Sequence, residues 1–104
     1  MINAKTALLQ ALMTDDGYGL ELIERVKDLT GGKTTLGQGT IYPALRDLER
    51  DGFVESYEGE TVPERAGRPR IYYRITGEGR RAAFEERKAA SGLFGLAWAK
   101  LALG

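Results

Sequence analysis

Between Gln38 and Phe53 the chain reads QGTIYPALRDLERDGF, and its polar side chains fall on one helical face. Gln38, Thr40, Tyr42, Arg46, Asp47, Glu49 and Arg50 share that face, so its leading half offers an amide, a hydroxyl, a phenol and a guanidinium. These groups hydrogen-bond and pair with anions. A helix bearing them suits entry into the major groove of DNA N-terminus first, where side chains reach base edges. The same pattern also describes a solvated face on an ordinary amphipathic helix, and the segment alone leaves both readings open. Arg46, one turn beyond Tyr42, is expected at a guanine edge or a phosphate. Its alternative is an ion pair among neighbours such as Glu49, Asp47 and Arg50, worth under ~1 kcal/mol when exposed. Arg68 and Arg70 flank Pro69, which stiffens the loop so that two guanidinium groups project toward a minor groove or its phosphates. A mobile solvated loop is the other possibility there. Lys33 is a weaker backbone-contact candidate.

Composition narrows the chemistry. The 104 residues include no cysteine and no histidine, which removes disulfides, the usual zinc ligands, Ser-His-Asp triads and the commonest general base. No Asp/Glu pair lies on an obvious apolar cleft wall. An enzyme is therefore not expected, nor is a cofactor. With 42 % hydrophobic and 29 % charged residues, the chain has the balance of a soluble globular domain. No secretory signal is visible, and the most apolar stretch, Leu93 to Leu103, is shorter than the roughly 20 residues a bilayer requires. A cytoplasmic protein fits, with no membrane partner. Net charge is zero, but its distribution is uneven: Asp47 to Glu64 carries seven acids and one base, Arg65 to Arg81 six arginines and one acid. Phosphate contact depends on such local charge.

The elements that must position these residues follow from periodicity. Ala4 to Met13 reads as a helix buried through Leu8, Leu9 and Leu12. After the turn signal Thr14-Asp15-Asp16-Gly17, the residues Leu20, Ile23, Val26 and Leu29 make a second helical stripe, ended by Gly31-Gly32. Thr34-Thr35-Leu36 has the makings of a very short strand. In the third helix Ile41, Ala44, Leu45 and Leu48 form the apolar face, with Pro43 expected in the first turn and Gly52 as the left-handed stop. Phe53 to Glu58 reads as a strand, Gly59 to Pro69 as an exposed loop, and Arg70 to Thr76 as a half-buried strand with Ile71, Tyr73 and Ile75 inward. Thr76 is positioned to cap a last helix running from about Glu78 through Ala90. Tyr18 is expected in core or helix-start packing. The order is helix, helix, helix, strand, loop, strand, helix, mainly α with a small β-hairpin. This is the winged variant of helix-turn-helix.

With that order in place, the chain resembles the PadR family of bacterial transcriptional regulators. The matching pieces are Gly17-Tyr18-Gly19-Leu20, Gly39-Thr40-Ile41-Tyr42-Pro43-Ala44-Leu45, Leu48-Glu49-Arg50-Asp51-Gly52-Phe53-Val54, Gly67-Arg68-Pro69-Arg70, and Tyr72 through Arg80. The resemblance covers about residues 4 to 85. It implies a homodimeric winged-helix repressor on a near-palindromic operator, with release by a phenolic or other small aromatic effector in many members. By match to the motif, Tyr42 is a helix-start contact to phosphate or a base edge, with Gln38 and Thr40 beside it; a half-buried surface tyrosine is the alternative.

The implied organisation is a winged-helix DNA-binding domain over residues 1–77 and a C-terminal dimerisation helix with an apolar tail over 78–104. The agreement ends after about Arg87. Gly92 and Gly95 interrupt what the family's short branch keeps as one long helix, each costing about 1 kcal/mol relative to alanine if helical. Phe84, Phe94, Leu96, Trp98 and Leu101 are the candidate dimer or ligand residues, with plain interface packing at Trp98 as reasonable as stacking on a flat ligand. The competing function is a winged helix that no longer reads DNA and grips another protein with its tail. Zero net charge and the acidic run support that alternative.

Overall fold

A computed structural model describes residues 3–61 and 63–86. Helix α1 spans Ala4–Leu12 and is started by Asn3, whose side-chain oxygen accepts from the Thr6 N–H at 2.8 Å. Strand β1 is the pair Gly17–Tyr18, and helix α2 follows at once over Gly19–Leu29. Helix α3 spans Gln38–Arg50, strand β2 Val54–Thr61 and strand β3 Pro69–Ile75, with a single 3-10 turn at Pro63–Arg65 between the strands. A fourth helix, α4, occupies residues 77–86. Thr76 caps it as expected, accepting from the Gly79 N–H at 3.0 Å while its own hydroxyl donates to the Gly52 carbonyl at 2.7 Å.

The core lies where the first three helices meet the base of the sheet. Leu8, Leu9 and Leu12 from α1, Leu22 and Val26 from α2, and Ile41, Leu45 and Leu48 from α3 are all buried, joined by Val54, Ile75 and Ala83. The α2 stripe therefore differs from the one periodicity suggested. Leu22 and Val26 face inward, whereas Leu20 and Leu29 are 51 % and 58 % exposed. Starting α2 at Gly19, immediately after a strand, fixes its rotation so that Leu22 and not Leu20 meets α1 and α3. Leu36 anchors the connector in the core but forms no strand. The third strand is β1 instead: the sheet order is β1-β3-β2, antiparallel throughout, with Gly17 opposite Tyr73 and Tyr18 opposite Tyr72.

Two details of α3 decide how its polar face is presented. The helix begins at Gln38, so Pro43 is its sixth residue and lies in the second turn, not the first. Its missing N–H leaves the Gly39 carbonyl without a partner four residues on, which is tolerable because both residues are exposed. At the other end Gly52 takes φ +81°, the Phe53 N–H reaches the Leu48 carbonyl at 2.9 Å, and the Gly52 N–H reaches Glu49 at 3.1 Å. That left-handed stop turns the chain directly into β2. The Glu49 carboxylate then accepts from the Ser56 hydroxyl (2.5 Å) and N–H (3.2 Å), binding the end of α3 to the hairpin.

Candidate nucleic-acid interface

The first turn of α3 carries no side-chain cap; Gly37 stands at the capping position. The Thr40 and Ile41 N–H groups both reach the Gly37 carbonyl, at 3.0 and 2.9 Å, and those of Gln38 and Gly39 open the helix, where an anion is favoured. Tyr42 is half-buried, its ring lying against Gly19 so closely that a Cβ there would overlap the phenol oxygen. The starts of α2 and α3 are thus packed together, and glycine at 19 is what permits it.

The hairpin stands beside this helix start. A groove of about 580 Å³ runs between them, lined among others by Tyr18, Gln38, Tyr42, Arg65, Arg70 and Tyr73. Two strand residues, Gly17 and Tyr18, cover one edge of β3 only as far as Tyr72, and the groove opens beyond that point. This explains why Ile71, expected to face inward with Tyr73 and Ile75, is 38 % exposed on the groove wall. Leu20 and Glu64 also reach the groove.

The proposed contact residues divide accordingly. Gln38, Tyr42 and Arg70 share the groove; Thr40 and Arg46 are exposed on α3, Lys33 is exposed in the turn after α2, and Arg68 is exposed at the start of the returning strand. Arg46 makes no ion pair among the described residues, so the neighbour pairing considered for it does not form; Asp47 instead meets Arg50 at 3.1 Å and Lys5 at 3.9 Å. Arg68 donates through Nε to the Arg65 carbonyl at 3.2 Å. Arg70 does not project freely beside it. Its guanidinium lies 4.4 Å from the centre of the Tyr18 ring and 3.6 Å from the Glu60 carboxylate, leaving the side chain 29 % exposed. Strand alternation is the cause: Arg70, Tyr72 and Arg74 share the face on which Tyr18 and the β2 acids lie.

The uneven charge of the sequence looks different once folded. Acidic β2 and basic β3 are neighbours, so Glu60 pairs with Arg70 and Glu55 with Arg74 (2.9 Å), and Arg81 pairs with Glu78 on α4 at 3.2 Å. Arg65, Arg68 and Arg80 are left without an ion pair among the described residues. Glu60 is held below the usual carboxylate range by its own backbone N–H and by the Tyr72 hydroxyl, with a smaller contribution from Arg70. Sequence reading missed Arg65 and Tyr18 as groove residues. Arg65 was visible only as one member of the arginine run, and Tyr18 only within Gly17-Tyr18-Gly19.

Of the candidate dimer residues, Phe84 lies on α4 and is 57 % exposed. The neighbouring positions hold α4 to the body: Gln10 donates to the Ala83 carbonyl at 2.9 Å and Thr6 to Glu86 at 3.2 Å. Phe94, Leu96, Trp98 and Leu101 lie outside the described residues, as does the end of the helix expected to reach Ala90. No described helix is long and apolar enough to cross a membrane.

The Transcriptional regulator PadR-like family matches residues 8–85. The chain belongs to the PadR-like family of transcriptional regulators. Solved structures agree with that placement. A transcriptional regulator from Clostridium thermocellum shares 28 % identity at a TM-score of 0.76, covering 90 % of this chain and 85 % of that one. A PadR family transcription regulator from Clostridium difficile has the same fold at TM-score 0.77 and 23 % identity, over 94 % of this chain and 97 % of its own. By sequence, 73 residues are 29 % identical to an uncharacterised protein of Lysinibacillus sphaericus, over 70 % of this chain and 64 % of that one. Another 56-residue match, 36 % identical, is to the transcriptional regulator YqjI of Escherichia coli, over 54 % of this chain and 27 % of the relative. The matched stretch thus spans under two thirds of either sequence relative.

Proposed function

We propose that this PadR-like regulator binds double-stranded DNA as a homodimer and represses transcription from a near-palindromic operator, with a small aromatic effector releasing it. The observation that carries the reading is the groove in which the start of α3, with Gln38 and Tyr42, converges with the hairpin through Arg65 and Arg70. An α-helix start in the major groove and a hairpin beside it would engage base edges and flanking phosphates together. Thr40 and Arg46 extend the helix contact, and Lys33 and Arg68 the phosphate contact. Residues 1–77 serve as the reading domain and 78–104 as the dimerisation segment; the exposed Phe84 on α4 supports a subunit contact there. Two-fold symmetry in the protein then calls for two-fold symmetry in the site. A cytoplasmic location accords with this role.

Gel retardation of the DNA upstream of its own gene, across a salt series and with a panel of aromatic compounds, tests this reading. It expects retardation that weakens steeply with salt and is reversed by at least one compound. The pairing of Arg70 and Arg74 with Glu60 and Glu55 favours one second reading, a winged helix that grips a protein instead of DNA. Absence of retardation at low salt, together with a stoichiometric protein partner on purification, would decide for it.

A further inference from the structure

On the groove side, the two residues of β1 pair with β3, and at the end of α3 Glu49 holds Ser56 of β2. A further tie lies away from the groove. Tyr57 of β2 donates its hydroxyl hydrogen to the Asp16 carboxylate at 2.6 Å, bridging 41 positions in sequence. Asp16 is itself fixed from the body side. The Arg25 guanidinium of α2 donates to the carbonyls of Ala11 (3.1 Å), Asp15 (2.7 Å) and Asp16 (3.0 Å), and to Glu21 at 3.2 Å. From Tyr57 the contacts run on toward the groove. Its ring stacks on Tyr72 (centroids 5.6 Å apart, planes at 18°), and Tyr72 meets Tyr18 edge-on at 5.5 Å. Tyr72 also donates to Glu60 at 2.9 Å, and Glu60 and Tyr18 together hold Arg70. Tyr57 does not line the groove.

We propose that Asp16 and Tyr57 are positioning residues whose hydrogen bond sets the hairpin against the helical body, so that Arg70 is presented to the duplex at a fixed place beside α3. A phenol-to-carboxylate bond is charge-assisted and short, stronger than a neutral pair. Its carboxylate sits on a turn whose Asp15 and Asp16 carbonyls the Arg25 guanidinium holds while also bonding Ala11 at the end of α1, so the tie has a rigid anchor. The proposal rests on the DNA-binding reading. Nothing in it requires Tyr57 to touch nucleic acid.

The test is a mutant cycle on the full chain. Duplexes are selected from a random-sequence pool by the wild-type protein, and affinities are read by fluorescence anisotropy. Tyr57→Phe keeps the ring and its stacking but loses the hydroxyl, and should weaken duplex binding roughly tenfold, about what one lost hydrogen bond to a charged group is worth. Asp16→Asn keeps an acceptor oxygen and should stay within about threefold of wild type, a partial retention that a charge effect alone would not give. Once Arg70→Ala has removed the residue being positioned, adding Tyr57→Phe should change affinity by less than about twofold. A Tyr57→Phe chain that binds like wild type overturns the proposal, as does a full-sized loss in the Arg70→Ala background. A DNA-independent arm separates this failure from that of the parent reading. In the free protein, Tyr57→Phe should quicken amide exchange in β3, and unchanged exchange there overturns the tie. A wild-type chain that retains no duplex overturns DNA binding itself, while the exchange result still judges the tie.

Discussion

Gly19→Ala is a one-carbon probe of how the recognition helix is seated. The added Cβ would stand 2.7 Å from both Cε1 and Cζ of the Tyr42 ring and would overlap the phenol oxygen, well inside van der Waals contact. Relief requires the ring to swing out or the starts of α2 and α3 to separate. Overpacking of this kind costs about 1–3 kcal/mol. Alanine is intrinsically better than glycine within a helix by up to about 1 kcal/mol, so the net loss should be roughly 1–2 kcal/mol. In a Tyr42→Ala background the obstacle is gone, and the same substitution should be neutral or stabilising by up to about 1 kcal/mol. The coupling between the two positions is then on the order of 1–3 kcal/mol. Urea unfolding of the four chains at one fixed protein concentration measures it, since association shifts apparent stability. An equal cost for Gly19→Ala in both backgrounds would refute the claim that Tyr42 is held against α2. Duplex affinity should fall with Gly19→Ala as well, because the ring it displaces faces the groove.

Asn3→Ala should destabilise the chain by about 1 kcal/mol in the same unfolding assay, through loss of the cap on the Thr6 N–H. The Tyr57 phenol is pushed up to about 12, first by its hydrogen bond to Asp16 and then by desolvation. Because the folded value lies above the ordinary 10, the tie is fully present below pH 10 and is lost as pH rises toward 12. The stability difference between wild type and Tyr57→Phe should accordingly be constant to about pH 10 and shrink above it. Arg68→Ala should lower the slope of log affinity against log salt by about 1 and weaken all duplexes alike. Arg46→Ala should instead cost the selected duplex more than a random one, as loss of a base contact does; equal effects on both would move Arg46 to a phosphate.

The helices were legible because their apolar residues repeat at helical spacing, and glycines follow α2 and α3, with Gly52 as the left-handed stop of α3. The rotation of α2 was not legible. Leu20 and Leu22 are both apolar, and only pairing of Gly17–Tyr18 with β3 determines which turns inward. That pairing joins residues more than fifty positions apart, beyond the reach of local pattern. The same limit hid the cancellation of charge in the hairpin, since acidic and basic runs separate in sequence become facing neighbours in an antiparallel pair. Within the candidate site, Gln38 and Tyr42 followed from the helix face, but the folded-back position of Arg70 depended on Tyr18 and Glu60. Arg65 showed only as one member of the arginine run, and the Asp16–Tyr57 tie carried no local signal at all.

Duplex reading of the kind proposed requires the start of α3 and the hairpin to meet one duplex at the same time. Titrating a selected duplex into isotope-labelled protein and following the backbone amides by NMR addresses this directly. Gln38 to Tyr42 and Arg65 to Ile71 should shift together along one binding curve, with the outer face of α4 unaffected apart from any subunit contact. Shifts confined to one of the two segments, or absent from both while the duplex is bound, would contradict it.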